Sequence, residues 1–248
     1  MSNRIMTHMV AWFPNRESSL EVARGMVDGG SAYLEVQFPF SDPTADGYHI
    51  QEACKRALAE GFTVSRGFDL VREIIVHADI PVFIMCYANT IFVYGVRRFL
   101  QRCKTAGVRG VIVPDLPVDY DEGLYSLCEE AGIQAVPVVS PSTSDSRLRM
   151  ILSNDMEYVY ATLRKGITGS FTEVHDSQLG FLKRVRSHRK KVLAGFGISE
   201  RNQVEAIAPY IHAAVVGTGL VKAVMNDSTG NVYDTVRRKM ASLTLIPY

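Results

Sequence analysis

No apolar run in this sequence reaches the roughly 18 residues that a membrane-spanning helix needs. Residues Met1 to Met6 lack the basic stretch and apolar core of an export signal, so a soluble, cytoplasmic protein is expected. Cysteine is scarce: Cys54, Cys86, Cys103 and Cys128 lie far apart with no C-x-x-C spacing. That argues against a disulfide framework and for ordinary thiols in a reducing compartment. Charge of one sign is missing too. With 27 Lys and Arg against 26 Asp and Glu, the formal charge of +1 gives no global field toward nucleic acid or an anionic membrane. The basic run Lys183 to Lys191 falls where a helix should end, and a solvated helix terminus explains it better than a nucleic-acid patch. His8, His49, His77, His175, His188 and His212 show no metal-ligand spacing, so no metal site is expected. G-x-S-x-G, Walker and G-x-G-x-x-G motifs are absent as well.

What the chain does have is apolar material, 47% of 248 residues, in a regular alternation. Short β-branched runs are predicted as strands at Thr7–Phe13, Tyr33–Val36, Val82–Tyr87, Gly110–Val113, Ala135–Val139, Tyr158–Thr162, Val192–Gly195 and Ala213–Val216. Segments of helical period fall at Leu20–Asp28, Ile50–Glu60, Phe68–His77, Val96–Lys104, Gly123–Glu130, Ser146–Leu152, Ser177–Arg186 and Val221–Met225, with a last helix near Asn231–Leu243. Eight strand–helix pairs in this length, without a linker or a sequence repeat, predict an α/β fold: a single-domain (β/α)8 TIM barrel over residues 1–248. Function in such a barrel belongs at the carboxyl ends of the strands, because side chains fill the interior.

The loop after the second strand, Glu35 to Gly47, carries three carboxylates and two prolines. Glu35 stands between Leu34 and Val36 at a strand end. An isolated carboxylate in such a place is costly unless it has a task, and partial loss of hydration suits it to proton transfer. Asp46 precedes a glycine and is placed to reach back over the same mouth, although Asp before Gly is also a common turn former. Two carboxylates in different surroundings suggest an acid/base and an electrostatic anchor. Near the C-terminus, Gly195-Phe196-Gly197 and Gly217-Thr218-Gly219 close the last two strands. Either pair can be a tight turn; both together fit the usual phosphate site of a barrel. The stretch from Arg164 to about Asp176 has the length and small residues of a lid, or of a plain surface loop.

With these residues in place, the sequence resembles the α subunit of tryptophan synthase. The resemblance rests on Leu34-Glu35 and on Pro39-Phe40-Ser41-Asp42-Pro43-x-Ala45-Asp46-Gly47-x-x-Ile50-Gln51. It continues through Tyr87-Ala88-Asn89, Val113 to Pro117, Ser140 to Thr143, Gly166 to Gly169, Gly195 to Ile198 and Val216 to Thr218, nearly the whole chain. The resemblance implies a lyase that splits indole-3-glycerol phosphate into indole and glyceraldehyde 3-phosphate, without a cofactor of its own. By it, Glu35 exchanges protons with indole C3 and the glyceryl hydroxyl, and Asp46 binds the indole N–H. Gly169, Gly197, Gly217 and Thr218 would hold phosphate; Ile50, Met85, Tyr160 and Phe196 would line the indole pocket; Thr168 would join Asp46 on loop closure.

The resemblance also implies a β subunit that carries pyridoxal phosphate, in an α2β2 heterotetramer, with Asp42, Pro43, Asn89, Asp115 and Pro117 at the contact. Some positions depart from the family pattern. Gln37 replaces a usual glycine, Tyr48-His49 a common Pro-Thr, Gly219 a usual alanine, and Ala11-Trp12-Phe13-Pro14 a run of small residues. Bulk at Trp12 and Phe13 is expected to reshape the indole end, and Gln37 to alter the support beneath the Asp46 loop. Two alternatives stand beside the lyase: another phosphate-binding barrel enzyme, such as a phosphoribosyl isomerase or indole-glycerol-phosphate synthase, and a non-catalytic subunit that only activates a β partner. The motif from Pro39 to Gln51 speaks against the first, and retention of Glu35 with Asp46 against the second.

Overall fold

A computed structural model describes residues 4–153, 155–164, 166, 168 and 173–244. All strand pairs in it are parallel and belong to one sheet. The strands are β1 (Ile5–Val10), β2 (Tyr33–Gln37), β3 (Val82–Met85), β4 (Gly110–Ile112), β5 (Gln134–Val136), β6 (Val138–Val139), β7 (Tyr158–Thr162), β8 (Lys191–Gly195) and β9 (Ala213–Val216). Their spatial order is β5-β4-β3-β2-β1-β9-β8-β7-β6. The two ends of that order, β5 and β6, are separated in the chain only by Pro137, so the sheet closes on itself as the expected (β/α)8 barrel. Proline has no N–H for the ladder, and it divides the fifth predicted strand in two. Its carbonyl still accepts from the Tyr160 N–H at 2.9 Å and joins the segment to β7.

Strands covered on both faces read as unbroken apolar runs, which is why the alternation was legible. Period 2 then divides their side chains. Met6, Tyr33, Phe83, Met85, Ile112, Tyr158, Tyr160, Leu193 and Val215 fill one cluster inside the barrel. Ile5, Leu34, Val36, Ile84 and Val111 pack in the outer cluster with the helices. The helices are α1 (Arg16–Asp28), α2 (Tyr48–Ala59), α3 (Val64–His77), α4 (Ala88–Tyr94), α5 (Val96–Ala106), α6 (Leu124–Ala131), α7 (Asp145–Leu152), α8 (Asp176–Arg186), α9 (Arg201–Ile207), α10 (Thr218–Met225) and α11 (Val232–Ala241). Side-chain oxygens of Asn15, Thr63 and Ser144 cap α1, α3 and α7.

Three expectations are corrected. The first strand runs Ile5–Val10, not Thr7–Phe13, because the chain turns at Trp12, whose φ of 65° lies in the left-handed region. The strand–helix pairing also differs. Both helices expected after β2 are there, but α4 after β3 and the seven-residue α9 between β8 and β9 were unassigned from sequence. Finally, Trp12 and Phe13 do not reach the central cavity. Trp12 packs edge-on against Phe62 with the guanidinium groups of Arg16 and Arg66 over its ring, each 5.6 Å from the centroid. Its bulk lies between barrel and helices, away from the cavity. No helix of the described residues is long and apolar enough to cross a membrane.

Candidate active site

At the carboxyl ends of the strands a cavity, open at its mouth, is lined by Glu35, Asp46, Ile50, Met85, Tyr160, Thr168, Phe196, Gly197, Gly217 and Thr218. Those are residues that the sequence reading assigned to catalysis, the indole pocket, the phosphate turn and loop closure. Gly169, assigned to phosphate, lies outside the described residues. Met85, Ile112, Val138, Val215 and Ile198 complete an apolar wall suited to a flat aromatic ring.

Glu35 comes from the middle of β2, 3% exposed and turned into the barrel. The β1–β2 register sets His8 beside it. His8 Nδ1 lies 3.3 Å from Glu35 Oε2, an ion-pair contact without the alignment of a hydrogen bond. Burial alone would lower the His8 pKa; the Glu35 and Asp46 charges outweigh it, and the net direction is up. Sequence reasoning missed this histidine. Metal-ligand spacing says nothing of a lone strand histidine, and β1 begins at Ile5, two residues before the predicted start. The signal was there: His8 is in phase with Met6 and therefore faces inward.

Asp46 is buried just before α2 and held by two donors on one oxygen. Gln37 Nε2 donates to Oδ2 at 2.7 Å and the Tyr87 hydroxyl to the same atom at 2.9 Å. Gln37, the departure expected to change the support of this loop, thus grips the carboxylate directly. Tyr87 is stacked on Phe40 and accepts from the Ala45 N–H at 3.0 Å, so one phenol fixes both backbone and side chain. Burial pushes the Asp46 pKa up, against His8, Gln37 and Tyr87, which pull it down. Tyr87 and Tyr160 are pushed well up by burial and then by the neighbouring carboxylates, so both stay neutral phenols. The Cys54 thiol under Gln37 is pushed up to about 12 by burial and stays protonated.

Thr168 reaches the loop that bears Asp46, but through its neighbours. Its N–H donates to the Ala45 carbonyl at 3.2 Å, and its hydroxyl accepts from the Gly47 N–H at 2.8 Å. Another part of the lining is made by backbone. Gly217 caps the eight-residue α10, and a helix N-terminus there presents a favourable dipole to an anion. The turn after β8 carries Phe196 at φ 78° and Gly197 at φ 85°. Gln203 braces it: its Nε2 donates to the Gly197 carbonyl at 2.7 Å, and its Oε1 accepts from the Ser199 and Glu200 N–H groups. This brace was also missed, because it sits on the unassigned helix α9. Among the described residues no cluster of three or more His, Cys, Asp or Glu is placed to hold a metal ion.

Of the residues assigned to a partner contact, Asp42, Asn89, Asp115 and Pro117 are exposed. Pro43 is buried, its carbonyl accepting from the Asp46 N–H. Asp115 Oδ1 accepts from the Ala88 N–H at 2.9 Å and links the loops after β3 and β4.

A family model described as tryptophan synthase alpha chain matches residues 1–244. The tryptophan synthase alpha chain of Helicobacter hepaticus is 39% identical over 233 residues, 91% of this chain and 87% of that protein. That of Methanocaldococcus jannaschii is 35% identical over 94% of this chain and 86% of its own length. Among solved structures, a chain of the tryptophan synthase complex from Pyrococcus furiosus superposes with a TM-score of 0.88 at 31% identity, covering 98% of both chains. With two buried carboxylates and two glycine turns lining one cavity of a parallel barrel, and a family match over nearly its full length, the chain belongs to the tryptophan synthase alpha chain family.

Proposed function

We propose that this chain cleaves indole-3-glycerol phosphate to indole and glyceraldehyde 3-phosphate, a retro-aldol carbon–carbon lyase reaction. One observation carries the reading: Glu35 and Asp46, both buried, line one cavity together with the Gly197 and Gly217 turns. Breaking the bond between indole C3 and the glyceryl carbon requires a proton at C3 first. That proton leaves positive charge on the ring nitrogen. Glu35 is assigned as the proton donor. Asp46, held in place by Gln37 and Tyr87, offsets the ring charge. Because that charge exists only after protonation, Asp46 favours the transition state over the bound substrate, as electrostatic catalysis requires. The α10 N-terminus takes the phosphate. Both proton transfers are assigned to side chains, and the reading places no cofactor on this chain.

The exposed loops that bear Asp42, Asn89, Asp115 and Pro117 are proposed to dock a β subunit, which carries pyridoxal phosphate and consumes the indole, in an α2β2 assembly. The Pyrococcus furiosus relative forms a complex of that composition. The Thr168 contacts with Ala45 and Gly47 tie the loop after β7 to the loop that presents Asp42, which supports coupling between closure and docking. The test is indole release from indole-3-glycerol phosphate, with and without a β subunit. Slow release alone and faster release with the partner is expected. No indole under either condition would reject the lyase reading.

A further inference from the structure

His8 is 6% exposed inside the barrel, and its two ring edges face different parts of the site. Nδ1 faces Glu35 Oε2 at 3.3 Å. The other edge lies against Gly217, where an added Cβ would come within 3.0 Å of Cδ2. The imidazole therefore stands between the proton donor and the anion turn, beside the path that a glyceryl chain must take from one to the other. Its Nε2 is buried and has no hydrogen-bond partner among the described residues, and neither has Glu35 Oε2. A buried polar atom in a native site without a partner calls for an explanation, and a substrate hydroxyl supplies one.

Building on the lyase reading above, we infer that His8 takes up the glyceryl hydroxyl proton at Nε2 and hands its Nδ1 proton to Glu35. The cycle starts with Glu35 protonated and His8 neutral, its proton on Nδ1. Glu35 gives its proton to indole C3. The hydroxyl O–H bond then breaks, its proton going to Nε2 and its electron pair forming the aldehyde C=O. The electrons of the C3–carbon bond return to the ring and restore neutral indole. The imidazolium passes its Nδ1 proton to the Glu35 carboxylate, so no proton is gained or lost overall. His8 is left with its proton on Nε2 and resets by exchange with water as products leave.

The surroundings permit the intermediate imidazolium. Burial opposes it, but the charges of Glu35 from β2 and Asp46 from the following loop outweigh that and favour it. Tyr160 faces the same cavity from β7 and stays neutral. On the other flank, β9 presents only Ala213 to Val216 and then Gly217, none of them titratable.

The test measures kcat and KM for indole release with a β subunit present, on the unaltered chain, His8→Phe and His8→Ala. The phenyl ring fills the imidazole's space, so His8→Phe is expected to melt near the unaltered chain and lose about 100-fold in kcat, with KM changed less than about threefold. Added imidazole is expected to restore about tenfold of the lost kcat to His8→Ala and nothing to His8→Phe, a readout that a purely structural role does not move. A His8→Phe kcat within about threefold of the unaltered chain would overturn the assignment. So would a His8→Ala defect that imidazole leaves unchanged, and this second variant decides alone if His8→Phe does not fold. In either case the unaltered chain still releases indole. If it releases none, the lyase reading falls and takes this inference with it.

Discussion

The barrel has two ends, and each holds a buried or half-buried histidine among carboxylates and phenols. At the amino ends of the strands, His212 hydrogen-bonds the Tyr33 hydroxyl at 2.6 Å and contacts the Arg4 guanidinium. Glu157 there is claimed by both Arg109 and Lys191, whose charged groups also lie over the Tyr158 ring. At the carboxyl ends, His8 Nε2, Glu35 Oε2 and Gln37 Oε1 are buried without hydrogen-bond partners among the described residues. The same residue types therefore do opposite work. A network that satisfies its own donors and acceptors closes the barrel floor. One that leaves them open has unspent hydrogen bonds for a ligand and is the poorer contributor to stability. The histidines titrate accordingly: His8 is raised by its carboxylate neighbours, and His212 is lowered by burial and then by Arg4 and Lys191.

The largest effect expected from disturbing the open end, after Glu35 itself, is that of Asp46→Asn. Both donors to Asp46 reach the same oxygen, which the amide oxygen of asparagine replaces, so the fold should hold. The charge proposed to answer the ring nitrogen is lost, and kcat for indole release should fall about 10²- to 10³-fold. Because the Asp46 pKa is raised in the folded chain, its ionisation works against folding, and Asp46→Asn should melt at or above the unaltered chain at alkaline pH. A melting temperature several degrees lower would contradict the picture of an electrostatically strained site.

Gln37→Met comes next. It removes one of the two donors on Asp46 while keeping most of the volume, and about tenfold in kcat should go with it, the worth of one hydrogen bond to a charged group. An unchanged kcat would show that Tyr87 alone positions the carboxylate.

The smallest effect is on stability against pH, and it distinguishes the two histidines by sign. His8, with its pKa raised, stabilises fully below the unfolded value of 6.5 and loses that contribution as pH rises through its folded pKa. His212, with its pKa lowered, contributes fully above 6.5 and loses that contribution as pH falls through 6.5 toward its folded pKa. Melting curves between about pH 5 and about pH 9 should show the advantage of the unaltered chain over His8→Phe shrinking toward alkali, and over His212→Phe shrinking toward acid. Parallel shifts for the two would break the comparison.

The fold was legible because parallel strands covered on both faces leave an apolar signature that composition cannot hide. What escaped was local. Pro137 interrupts a strand without ending it, and α9 is too short for a helical period to register. Glu35 and Asp46 were visible because a carboxylate inside an apolar run, or ahead of a glycine in a long loop, is chemically out of place. His8 was not, since a histidine in an apolar strand declares itself only when the phase of the strand is known. Gln37 announced itself as a departure, but its direction, toward Asp46 Oδ2, depends on how the loop folds back. Trp12 misled for the same reason: its bulk was certain and its direction was set by a left-handed turn.

Two carboxylates, one at each end of the barrel, put the central claim to the most direct measurement: Glu35→Gln and Glu157→Gln assayed side by side for indole release and thermal melting, with a β subunit present. Glu35→Gln should lose about 10³-fold in kcat while melting with the unaltered chain. Glu157→Gln leaves Arg109 and Lys191 without their partner; it should keep kcat and melt about 2–4 °C lower. Equal losses of turnover, or a Glu35→Gln variant that still releases indole at the unaltered rate, would contradict the assignment of the open network as the reacting centre.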